Sequence, residues 1–275
     1  MNNKIGVSIP ADKYHQHQAV GHSGLVRIMR SPAHYRAWLD HPPEPTPQML
    51  FGTAFHAALL EPEKFGAEYA IAPKFDRRTK EGKAQAETWE AENAGKTPLT
   101  VEQMSAIEKM VVSVRAHAGA ESLLAEGVAE MSAFWIDPET GVECKCRPDW
   151  MQVDGGVQHI VDVKTTCDAS AEGFARAIAT LGYDVQAALY VDGIEVITGC
   201  KATFLFIAVE KDPPYAAAVY KAADEVIEVG RTKYRGALQL LKWCRENDRW
   251  PAYQPNGEIE TINLPRWAAK FDLEG

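Results

Sequence analysis

The hydrophobic pattern of this chain predicts an α/β fold, a central mixed β-sheet with helices on both sides. Three observations carry that expectation. Helical spacing dominates as far as Gly127, extended spacing runs from Glu130 to Thr165, and helical and extended stretches then alternate as far as Asn247. At 275 residues, 46% hydrophobic and 24% charged, the chain can bury a substantial core and is not compositionally disordered.

The elements follow in order. Residues 1–22 carry Asp12, Lys13, His15 and His17 and no apolar core, so they read as a flexible lead-in and not as a signal peptide. Residues 23–275 are expected to form one domain. Helical spacing over residues 23–30 runs through Leu25, Ile28 and Met29, after which Ser31 offers an N-cap and Pro32 a first helical residue. The proline-studded residues 41–47 form a loop, and residues 49–60 read as a buried helix containing Gly52 and His56. Beyond a polar, charged stretch over residues 74–96, Thr100 and Gln103 make a capping box for a helix with the stripe Met104, Ile107, Val111 and Val114. Strands over residues 130–137 and 142–151 are joined by a turn at Pro138 and Gly141, and a third spans residues 157–165. Helices over 170–180 and 183–197, strands over 202–210 and 215–221, and a long helix over 224–247 complete the expectation.

The balance of 38 acidic against 29 basic residues gives a net charge of −9, which by itself argues against non-specific nucleic-acid binding. A metal site needs acidic ligands, however, and a local basic groove coexists readily with an acidic exterior. The five cysteines form no CxxC pair, and their odd number argues against a closed disulfide framework. Cys144 and Cys146 share one strand face and read as small buried apolar residues. The longest apolar run, residues 202–209, falls far short of the ~20 residues that span a bilayer, so no membrane association and a cytoplasmic location are expected.

Chemistry concentrates in two short segments. Asp162 and Lys164 lie two apart in a β-branched run, so both project from one face of a strand while Val161 and Val163 project from the other. Alone, that pair reads equally well as a salt bridge. Asp149 stands at the end of the preceding strand, where antiparallel pairing would bring its carboxylate beside Asp162. Converging carboxylates repel unless a cation sits between them, and hard oxygen ligands favour Mg2+ or Mn2+. Such an ion generates hydroxide, and Lys164 would orient that nucleophile or neutralise charge developing on phosphorus. The three residues suit phosphodiester hydrolysis.

With Pro148-Asp149 and Asp162-Val163-Lys164 as two halves of a signature, the sequence resembles the PD-(D/E)XK nuclease superfamily. Within it the sequence looks most like the RecE-type exonucleases (exonuclease VIII), which are similar to the RecB nuclease domain and lambda exonuclease. Phe51-Gly52-Thr53-Ala54-Phe55-His56 resembles the helix that supplies a metal-binding histidine in RecB-like nucleases. Without the family, a histidine among Ala and Leu reads as a satisfied core residue. Gln186 and Tyr190 match the family's QxxxY pattern, on one helix face with Tyr183 nearby, which implies contact with DNA or support of the site. The bland alternative packs Tyr190 in the core. Glu130 opens a strand on which related enzymes carry an acidic residue near the metals.

Arg77, Arg78 and Lys80, with Lys74 and Lys83, form the densest basic stretch. By default it is a solvated charge run, and by resemblance a strand-gripping or 5′-phosphate-binding segment. Arg27 and Arg30 are weaker candidates of that kind. Lys145 and Arg147 share the strand parity of Asp149 and are expected to line the same cleft.

The resemblance implies a restriction-endonuclease-like core that degrades one strand of linear double-stranded DNA from 5′ to 3′, leaving 3′ single-stranded overhangs for recombination. It implies Mg2+, with Mn2+ as substitute, held by Asp149, Asp162, His56, Glu130 and the Val163 carbonyl. It further implies a ring-shaped homo-oligomer, a single-strand annealing protein (RecT-like or equivalent) as partner, and a phage or prophage origin. Only Cys244 lies where some relatives place a cysteine trio, so no iron–sulfur cluster is expected. No Walker A spacing occurs, so neither is a nucleotide cofactor. The rival readings are a RecB-like or restriction-type nuclease of other polarity or endonuclease action, and a catalytically silent DNA-binding scaffold.

Overall fold

The computed structural model describes residues 4–7 and 9–265. Its first part is mainly helical: β1 (Lys4–Val7), α1 (Ala11–Gln16), α2 (His22–Arg30), α3 (Pro32–Asp40), α4 (Pro47–Leu60) and α5 (Pro62–Glu68). Then come β2 (Tyr69–Ala72), α6 (Lys80–Glu92), β3 (Thr97–Thr100), α7 (Val101–Ala116) and α8 (Ala118–Leu124). The strand-rich middle holds β4 (Val128–Ala129), β5 (Ser132–Ile136), β6 (Glu143–Cys146), β7 (Trp150–Asp154) and β8 (Val157–Thr166). It is followed by α9 (Ala171–Leu181), α10 (Tyr183–Thr198), β9 (Ala202–Glu210), β10 (Ala217–Lys221) and α11 (Asp224–Asn247).

Local chemistry sets many of these boundaries as expected. Ser31 caps α3 by accepting from the His34 amide, with Pro32 in the first turn. Thr100 and Gln103 form the full capping box of α7. The charged stretch over residues 74–96 contains α6, started by a Thr79 cap and burying only Gly82 and Ala86. With so few apolar residues to mark a face, no helical period is visible there in the sequence.

One expected strand is broken in two, and another begins later than expected. Pro148 cannot donate to a ladder, and the segment that was expected to run over residues 142–151 changes sheets there. Before it, β6 pairs with β5 in a sheet ordered β1-β5-β6, and after it β7 joins a sheet ordered β10-β9-β8-β7-β4. The strand expected over residues 130–137 begins only at Ser132, as β5, and Glu130, whose φ of 53° is left-handed, separates it from β4. In the five-stranded sheet β8 and β9 are parallel, joined through α9 and α10, and the other pairs are antiparallel. The central sheet is therefore mixed and flanked by helices.

Within the stretch expected as a flexible lead-in, the described residues include regular structure. β1 pairs with β5, Tyr14 and Val20 are buried, and Val20 bridges to Cys144. Lys145, expected in the cleft, is instead buried beneath α1, where its ammonium donates to the carbonyls of Tyr14 at 2.6 Å and His17 at 2.9 Å.

β8 separates two hydrophobic clusters. Ile160 joins Phe204 and Phe206 of β9 against Leu25, Ile28, Leu189 and Leu238 from α2, α10 and α11. Val161 and Val163, on the opposite face, meet Ile207 and Val209 with Phe55 and Leu59 of α4 and Ile107 and Met110 of α7. Each such buried side chain contributes roughly 1.5–3 kcal/mol relative to exposure. Cys144 and Cys146 are buried, as their spacing implied. Among the described residues, no helix is long and apolar enough to cross a membrane.

Candidate active site

The site forms where β7 ends beside β8. Their pairing begins at Trp150↔Val161, so β8 residues beyond that point have no β7 partner. Asp149 fills the gap with its side chain, and its Oδ2 accepts the Val163 amide at 2.7 Å. On its other side the Asp149 carbonyl accepts the Glu130 amide at 3.1 Å, which continues the β4 ladder and brings Glu130 to the same place. The sequence expectation that Asp149 lies on a strand continuous with residue 142 is thus corrected. It sits at the switch between sheets, which is what frees its carboxylate.

Asp162 and Lys164 project from the same face of β8. Asp162 is 1% exposed, its Oδ1 accepts Gln186 Nε2 of α10 at 2.6 Å, and its Oδ2 lies 2.5 Å from Lys164 Nζ. Asp162 Oδ2 is buried, and the Lys164 ammonium is its ionic partner. The Lys164 ammonium also lies 4.7 Å from the centre of the Tyr183 ring.

His56 reaches the notch from α4, with Nδ1 3.6 Å from Asp149 Oδ2. His56, Glu130 and Asp149 offer ligand atoms that all lie within 4.8 Å of one another. Glu130 Oε2 is held by Arg147 Nε at 2.6 Å, and Arg147 also donates to the Ile9 carbonyl at 3.2 Å.

The electrostatics follow from this crowding. Burial first, then Asp162, push the Asp149 carboxyl well above its ordinary value, and Glu130 adds to the effect. Burial and then the Lys164 charge push His56 down, which favours a neutral imidazole with a free lone pair. Burial opposes the charge of Lys164, but Asp162 and Asp149 outweigh it and the ammonium is held above its usual value. Two carboxylates and an imidazole, with ligand atoms within 4.8 Å of one another, fit a small divalent cation. The Val163 backbone lies against both Asp149 and His56.

Other expected site residues have different places. Tyr190 is buried, with its ring 6.0 Å from that of Phe204, so it packs in the core and is not presented to DNA. Gln186 is buried as well and serves Asp162. Arg147 is used on Glu130 and the chain before α1, not on an open cleft wall. Arg77 and Arg78 are exposed and paired with Glu90 at 2.5 Å and Asp76 at 3.3 Å, and Lys80 is the exposed first residue of α6. Among the described residues, the ion pairs of this basic stretch are with Glu102, Glu90 and Asp76, away from the notch. One residue had no signal in the sequence. His22, the first residue of α2, has Nε2 2.9 Å from the Gly182 carbonyl, and burial with the Lys164 charge holds it at about 4.

A mixed sheet whose diverging strands expose an aspartate beside an Asp-x-Lys pair defines a PD-(D/E)XK-like domain. The chain belongs to the family described as "PDDEXK-like domain of unknown function (DUF3799)", whose family model matches residues 21–265. A putative exonuclease from Eubacterium rectale shares the fold, with a TM-score of 0.62 at 12% identity over 98% of this chain and 100% of that one. A second solved structure, described as SSO0001, aligns at 14% identity over 56% of this chain and 69% of its own, with a TM-score of 0.29. No curated protein matches the chain.

Proposed function

We propose that this protein is a divalent-metal-dependent exodeoxyribonuclease that degrades one strand of linear double-stranded DNA from 5′ to 3′, leaving 3′ single-stranded overhangs. The observation that carries the nuclease reading is the convergence of Asp149, His56 and Glu130 at the notch beside the Asp162–Lys164 pair. The exonuclease reading is supported by the resemblance to RecE-type enzymes and by the fold shared with the Eubacterium rectale protein. Polarity rests on the RecE-type resemblance, as do a ring-shaped homo-oligomer and a single-strand annealing protein as partner.

In this reading Asp149, His56, Glu130 and Asp162 hold Mg2+ or Mn2+. When bound, the ion supplies Lewis acidity and a water of lowered pKa. Lys164, kept charged by its two aspartates, places its ammonium where negative charge develops on the phosphoryl oxygens. Gln186 fixes the rotamer of Asp162, and the Tyr183 ring bounds the travel of the ammonium.

The test is digestion of end-labelled linear duplex and covalently closed circular DNA with Mg2+ or Mn2+, using 5′-phosphorylated and 5′-hydroxyl ends. The proposal expects the linear duplex to shorten from its 5′ ends and the closed circle to survive. Nicking of the circle would replace it with an endonuclease. Binding without cleavage under either metal would favour the silent scaffold.

A further inference from the structure

Gly182 is the point at which the chain leaves α9 and enters α10. It is the C-cap of one helix and the N-cap of the next, with φ of 72°. Its carbonyl accepts two hydrogen bonds: the Gln186 amide at 3.2 Å, within the first turn of α10, and His22 Nε2 at 2.9 Å, from α2. A carbonyl only accepts, so the imidazole carries its proton on Nε2 at this contact.

Both ends of that contact are anchored in the fold. His22 follows Val20, which exchanges backbone hydrogen bonds with β6 through the Glu143 carbonyl and the Lys145 amide, each at 2.9 Å. Leu25 and Ile28 of α2 are fully buried. α10 begins at a left-handed residue with no side-chain cap, and its first turn meets α11 through the Asp184–Lys233 ion pair and the close approach of Gly230 to the Asp184 carbonyl. Its first turn supplies Tyr183 to Lys164 and Gln186 to Asp162. A shift of that turn relative to β8 would move Gln186 Nε2 away from Asp162.

From this geometry we infer that His22 is a positioning residue: it clamps the Gly182 carbonyl so that the first turn of α10 is held in register with Asp162 and Lys164. His22 touches neither of these residues by hydrogen bond and acts on them through Gly182, Tyr183 and Gln186. The inference rests on the nuclease reading above, since it concerns the register of that site.

The experiment compares His22→Leu with His22→Gln. Leucine fills similar space without a donor, whereas the glutamine amide reaches to about the position of Nε2. In His22→Leu, kcat on linear duplex DNA is expected to fall roughly 10–100-fold, as for reacting groups displaced by about an ångström, with KM for DNA within about twofold of wild type. His22→Gln is expected to recover most of kcat. Independently of activity, hydrogen exchange at the Gln186 amide should be faster by about fivefold in the leucine variant and near normal in the glutamine variant. Equal damage in both variants, or wild-type kcat and exchange in His22→Leu, would overturn the inference. So would a leucine variant that does not fold, because His22 would then be a stability element. A wild-type protein that cleaves no DNA while the exchange pattern still holds would sink the nuclease reading and leave the clamp on α10 standing.

Discussion

Asp149 Oδ2 accepts the amide of Val163 at 2.7 Å, so a side chain occupies the ladder position that β7 leaves empty. The carboxylate is thereby oriented by backbone before any ion arrives. Its position depends on where β7 begins, and that is set by Pro148.

Pairing of the central lysine is the first point to test. Lys164→Met leaves Asp162 with a buried, uncompensated charge and is expected to destabilise the protein by about 3 kcal/mol, read by chemical denaturation. Cleavage should fall by roughly 10²–10³-fold or more, since a charge aimed at the transition state is lost. Activity within tenfold of wild type would remove Lys164 from the mechanism.

Asp149 gives a pH signature. Its carboxyl value is raised on folding, by burial first and then by Asp162 and Glu130. The folded protein then binds that proton more tightly than the unfolded chain does. The group therefore costs no stability well below its unfolded value of about 3.9, and its cost grows as pH rises through the folded value. Without divalent cation, the Tm of Asp149→Asn should gain on wild type as pH rises above about 4. Added Mn2+ should raise the Tm of wild type more than that of the variant and narrow the difference. A pH-independent difference would contradict the crowding described here.

His56 is predicted to act as a ligand and not as a proton carrier. His56→Ala should weaken Mn2+ binding by roughly tenfold or more in a calorimetric titration, with little loss of stability. Unchanged affinity would return His56 to the role of a core histidine.

Packing of α10 against α11 yields a further outcome. A Cβ on Gly230 would lie 2.0 Å from the Asp184 carbonyl oxygen, which is backbone and cannot swing aside. Gly230→Ala is expected to cost roughly 3 kcal/mol and, by shifting the start of α10, to lower cleavage as well. A substitution without effect on Tm would mean that the two helices pack less closely than the structure has them.

Much of this was legible in the sequence because the signals were local. Proline and hydroxyl caps at Ser31, Pro32 and Thr100 mark helix starts within three residues, and the alternation of Asp162 and Lys164 with Val161 and Val163 gives the faces of β8 directly. The break at Pro148 was misread because the residues on both sides have strand character, and only pairing partners distant in sequence reveal that they join different sheets. Tyr190 shows the limit of a motif: the spacing put it on the face of Gln186, but which of the two meets Asp162 depends on the depth of α10 against the sheet. His22 lies 160 positions from Gly182, and nothing near it in the chain hints at that contact.

β8, which bears Asp162 and Lys164, is wedged between the two hydrophobic clusters and contributes side chains to both. The pair consequently belongs to the most cooperative part of the chain and not to a loop that frays on its own. The strand that carries the pair comes apart only when both layers part together. Heating should therefore extinguish activity in a single step coincident with global melting, with no range of temperature in which a folded but slackened enzyme accumulates.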